Sequence, residues 1–149
     1  MPGMREALKS YRIERIDGNA PPTREKLVEL PVALPDDEIL IDRLGLVQTG
    51  LIREALTEMV SSAADSHGHL VLQLHPERYH IFGEALKGIL AIARRKNAWM
   101  APLRDVAKWQ AERIGRERAW PNGNSFALTI SGDIDAVTLG DFLGRRIGR

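Results

Sequence analysis

The sequence predicts an α/β fold in a single domain, and three observations carry that prediction. Its 149 residues suffice for one domain with a real core but not for two ordinary ones. Its composition, 44% apolar and 28% charged, is that of a soluble globular protein. Its middle reads helix, strand, helix, short strand, helix, an order that favours parallel strands joined by helical crossovers.

The first 22 residues are mostly polar and end in Asn19-Ala20-Pro21-Pro22. Within them, residues 11–16 read as a short strand, with Tyr11 and Ile13 alternating against Arg12 and Glu14. Residues 1–26 are otherwise expected to be irregular. Residues 27–34 are apolar and β-rich but interrupted by Pro31, so they read as an extended loop or an edge strand. Asp36 and Asp37 could be paired acids; after Pro35 they read more naturally as turn residues or the cap of a helical turn over 38–43. Thr49 is the expected N-cap of a helix over 50–64, with Ile52, Leu56, Met59, Val60 and Ala63 as its apolar stripe.

The turn Ser66-His67-Gly68-His69 leads into a strand over 70–74. Leu70, Leu72 and Leu74 share one face, and Val71, Gln73 and His75 share the other. Pro76 ends the strand, since it cannot donate to a ladder and biases His75 towards extended backbone. A helix over 81–96 follows, with Phe82, Leu86, Ile89, Leu90 and Ala93 on one face. Arg94, Arg95 and Lys96 suit the negative end of its dipole. Residues 97–100 are briefly extended. Pro102 opens a helix over 102–115 whose face carries Leu103, Val106, Ala107, Gln110 and Ile114. All three helices are expected on one side of the sheet. Phe126, Leu128 and Ile130 then alternate with Ala127 and Thr129 as a strand, followed by an apolar segment to Leu143 and a basic tail.

Formal net charge is +1, so no nucleic-acid partner is expected. The chain has no cysteine, which excludes disulfides, thiolate metal sites and cysteine nucleophiles. No apolar run reaches the roughly 20 residues of a membrane span. Residues 1–12 lack the apolar core of a signal peptide, so a cytoplasmic location is favoured.

His75 is the main functional candidate, because the C-terminal tip of a strand is where α/β folds place their chemistry. The four histidines, His67, His69, His75 and His80, all fall in one window. On a strand, however, His69 and His75 lie about 20 Å apart at roughly 3.3 Å per residue. The usual zinc spacings are absent, so no metal site is expected in this chain. Trp99 and Trp109 read as packing residues or as a platform for stacking a sugar.

Several of these segments resemble the polysaccharide deacetylase family. They are Leu70 to Glu77 with its Leu-Gln-Leu-His-Pro ending, then Ala98-Trp99-Met100-Ala101, then Leu103-Arg104-Asp105-Val106-Ala107-Lys108-Trp109. Upstream, Glu29-Leu30-Pro31-Val32 and Leu34-Pro35-Asp36-Asp37 are similar to the segment before the last helices of some members. The resemblance implies an incomplete (β/α) barrel, the C-terminal half of the catalytic domain. Residues 1–149 would form one partial domain, with 122–149 a β-rich extension. It implies that His75 is the general acid, with Leu74 and Trp99 contacting substrate. The complete family domain holds a zinc-like divalent metal through an aspartate and two histidines. Here no histidine precedes His67 and no Asp-Asp-Gly occurs, so no cofactor is expected in this chain alone. The resemblance thus implies an inactive partial carbohydrate deacetylase. Its partner would be a complementary N-terminal barrel segment or a second copy, and its substrate an acetylated carbohydrate. The alternative is a non-catalytic oligomerisation or interaction module that uses the open barrel edges.

Overall fold

The computed structural model describes residues 11–15, 23–33, 35–113 and 119–133. Ile114, the apolar segment to Leu143 and the basic tail lie outside the described residues.

Strands β1 (Tyr11–Arg15) and β2 (Thr23–Glu29) pair antiparallel, with Tyr11 opposite Glu29 and Arg15 opposite Thr23. β1 matches the short strand expected there. β2 begins four residues before the expected position of 27 and ends at Glu29, so strand runs on into the segment expected to be irregular. Ending before Pro31 keeps every β2 residue able to donate a backbone hydrogen bond.

A wide helical turn follows over Ile39–Arg43, in which Leu44 N–H reaches back to Ile39 O at 2.9 Å. Helix α1 (Thr49–Asp65) starts at Thr49 itself. The cap position is Gln48, which makes no side-chain cap bond, so Thr49 is not the N-cap. The stripe Ile52, Leu56, Met59, Val60 and Ala63 is buried as expected. His67 ends the helix in left-handed backbone at φ 51°, and Gly68 N–H closes on Ala63 O at 2.9 Å.

β3 spans His69–Leu74. A short turn, Pro76–Arg78, feeds directly into α2 (Tyr79–Arg95). The buried side of α2 is Phe82, Gly83, Ala85, Ile89 and Ala93, whereas Leu86 and Leu90 are only half-buried. Asn97, at φ 59°, stops this helix as His67 stops α1. β4 (Ala98–Met100), α3 (Leu103–Arg113) and β5 (Phe126–Gly132) complete the described chain.

The main sheet is wholly parallel, in the order β3, β5, β4. The strand expected to belong to a C-terminal extension is therefore the central strand. Leu70 pairs with Leu128, Leu74 with Gly132 and Ala98 with Phe126. On the outer edge of β3, Ala33 N–H bonds Val71 O at 2.9 Å. The fold is mixed α/β, as predicted. In a closed (β/α) barrel, consecutive strands are neighbours; here β5 lies between β3 and β4.

That order explains a further difference. Leu70, Leu72, Leu74, Phe126 and Leu128 pack with α1 and α2 on one face. Ala127 packs with Val106, Trp120, Trp99 and Trp109 on the other. α3 thus covers the opposite face, and the three helices do not share a side. The chain steps outward from β3 to β4 and then back to β5. Both crossovers keep the same hand only if their helices lie on opposite faces. Among the described residues, no helix is long and apolar enough to cross a membrane.

Candidate functional site

Pro76 holds His75 in extended backbone, φ −105° and ψ 121°, at the C-terminal tip of β3. A single carboxylate holds it from the other side. Asp37 Oδ2 accepts the His75 backbone N–H at 2.7 Å. Asp37 Oδ1 pairs with His75 Nδ1 at 2.6 Å. Both residues are 2% exposed.

The local sequence sets up this clamp. Asp36 Oδ1 accepts Ile39 N–H at 2.8 Å and caps the helical turn. Asp36 is therefore the cap residue, and Asp37, one step on, turns inward instead. A second tie lies nearby: Asp42 Oδ2 accepts from Arg78 Nε at 3.1 Å and from Nη2 at 2.7 Å. The turn carrying Asp37 is thus bound at two points to the chain just after β3. No signal in either segment alone reveals the His75 pairing, which spans 38 residues.

With the Asp37 carboxylate as acceptor, His75 Nδ1 carries a hydrogen. A carboxylate in this position fixes the ring's tautomer. That is the arrangement of a general acid–base histidine. At 2% exposure, the ring is covered within this chain.

Of the other candidates, only Leu74 adjoins this pair. Leu74 is buried in the α1/α2 core and lines a small cleft with Leu56, Leu72, Phe82 and Asp37. Trp99 pairs with Ala127, which also pairs with His69. Trp99 is therefore level with the start of β3, about 20 Å along the strand direction from His75. It packs between Trp109 and Trp120, with ring centroids 6.0 and 5.9 Å away, so its environment is a packed aromatic row.

The histidines are also committed separately. His67 Nδ1–H donates to Ser125 O at 2.9 Å, and His80 Nδ1–H donates to Glu77 O at 3.1 Å. His69 bonds Thr129 on the α3 face. Among the described residues, no three His, Cys, Asp or Glu side chains are placed to hold a metal ion. Comparison with protein-family models, curated proteins and solved structures found no match.

Proposed function

We propose that this chain is a partial polysaccharide-deacetylase-like domain, the later part of an incomplete (β/α) barrel. In this reading it carries the late-strand proton donor without the metal site. The observation that carries the reading is the buried Asp37–His75 pair at the C-terminal tip of a parallel strand. Cleavage of an acetamide releases an amine that must leave protonated. An imidazole held through Nδ1 can deliver that proton from Nε2 near neutral pH. β5 is the departure from a barrel. It gives the three-residue β4 a long partner that the absent barrel strands would otherwise supply.

His75 then serves in catalysis only when a complementary segment completes the site and uncovers the ring, which is 2% exposed in this chain. The isolated chain is expected to release no acetate from a chitin oligosaccharide and to retain no stoichiometric zinc or cobalt after reconstitution. Adding the metal-bearing N-terminal half of a polysaccharide deacetylase barrel is expected to produce acetate release that His75→Gln abolishes. About one tightly bound metal per isolated chain, with acetate release lost in His75→Ala, would contradict this reading.

A second reading, a non-catalytic interaction module, is favoured by a separate observation. Leu44, Val47 and Leu51 are 60%, 65% and 43% exposed within one short stretch. Apolar side chains grouped in this way mark surfaces that other chains cover. Sedimentation at micromolar concentration tests this second reading. Self-association lost on Val47→Glu supports the module, and self-association unchanged by Val47→Glu counts against it.

A further inference from the structure

His69 opens β3 on the face covered by α3, and its side chain is buried at 3% exposure. Across from it, Thr129 gives its single hydroxyl hydrogen to Ala101 O at 2.8 Å. The Thr129 oxygen can therefore only accept from His69, whose Nε2 lies 2.9 Å away. The ring is thus the Nε2–H tautomer. Its Nδ1 is a buried lone pair with no hydrogen-bond partner among the described residues.

Among the described residues, no charge compensates a proton at that atom. β5 presents Ala127 and Thr129 on this face. α3 turns Val106 and Gln110 inward, while Arg104, Asp105, Lys108 and Glu112 are exposed. His67, on the preceding turn, directs Nδ1–H to Ser125 O. The nearest ring is Trp120, its centroid 6.3 Å away. Burial alone pushes the His69 pKa down from 6.5 to about 4.

Trp120 also connects His69 to the rest of the layer. It donates Nε1–H to His67 O at 2.9 Å and continues through Trp99 to Trp109 on α3. These are the chain's only three tryptophans.

We propose that His69 is an acid-operated latch: protonated at Nδ1, it releases Trp120 and α3 from the sheet while the α1/α2 layer stays in place. The charged ring has two donors and only one acceptor, so it must reach water. The opened form takes up the proton more readily than the closed form. The latch therefore holds fully above pH 6.5 and weakens as the pH falls towards about 4, where the loss is complete.

The test is tryptophan emission against pH, with far-UV circular dichroism followed alongside. The expected result is a red shift between pH 6.5 and about 4, while most of the helical signal persists. His69→Gln keeps a donor for Thr129 and cannot titrate, so its emission should stay constant across that window. His69→Leu, which removes the orphan nitrogen altogether, should do the same, and His67→Gln should keep the transition. The proposal is overturned if both His69 variants retain the transition. It is also overturned if the tryptophan and helical signals are lost together at one midpoint, or if no red shift occurs.

Discussion

Asp37→Ala is expected to destabilise the chain by roughly 2–6 kcal/mol, because it removes the acceptor of two buried His75 donors at about 1–3 kcal/mol each. The carboxylate is the acceptor for both the backbone and the ring of His75, at 2.7 and 2.6 Å. At 2% exposure, no water stands ready to replace it. Asp37→Asn should cost less than Asp37→Ala, because its amide oxygen still accepts one of the two bonds. His75→Ala combined with Asp37→Ala should cost clearly less than the sum of the single changes, since the two residues fail as a unit. Urea denaturation at neutral pH measures all four variants. A loss under about 1 kcal/mol for Asp37→Ala would fall within the range of one ordinary hydrogen bond and would remove the clamp from this account.

Phe126→Ala should cost a similar amount, about 3–5 kcal/mol. Its ring is fully buried on the central strand, against the α1/α2 core. The cavity would open where β5 faces α1 and α2, whose backbones cannot easily collapse onto it. Ile130 lies on the same strand but is 43% exposed, so Ile130→Ala should change stability by only about 0.5 kcal/mol. The contrast tests the placement of β5. Small, equal losses at both positions would return β5 to a peripheral extension.

The elements themselves were largely legible in the sequence. Ile52, Leu56, Met59, Val60 and Ala63 repeat with helical spacing, and all five are buried on α1. The leucine alternation before Pro76 forms β3, and the alternation from Phe126 forms β5. What local patterns do not encode is how strands are ordered. Ala127 and Phe126 each announce a face, but nothing in either names the neighbour that β5 will take. The insertion of β5 between β3 and β4 sends α3 to the far side of the sheet, and the expectation of one shared helical face failed for that reason.

The candidate site divides in the same way. His75 at a strand tip followed by proline could be read directly, because both signals are local. Asp37 could not, since its role depends on which of two adjacent acids caps the helical turn. Asp36 takes the cap, leaving Asp37 to face inward. Trp99 failed as a companion to His75 because strand register set its level, and register depends on the partner strand. His69 gave no sign of being different from its neighbours. Its orphan nitrogen arises from the Thr129 hydroxyl, 60 residues away, which is already committed to Ala101.

Asp37 holds the ring hydrogen of His75 on Nδ1. Long-range 1H–15N correlation of the imidazole rings tests it most directly, with the His75 signals assigned through His75→Gln. The account predicts an Nδ1-protonated His75 ring at neutral pH, with a slowly exchanging Nδ1–H that is lost in Asp37→Asn. A neutral His75 ring protonated at Nε2, or a spectrum unchanged by Asp37→Asn, would contradict it.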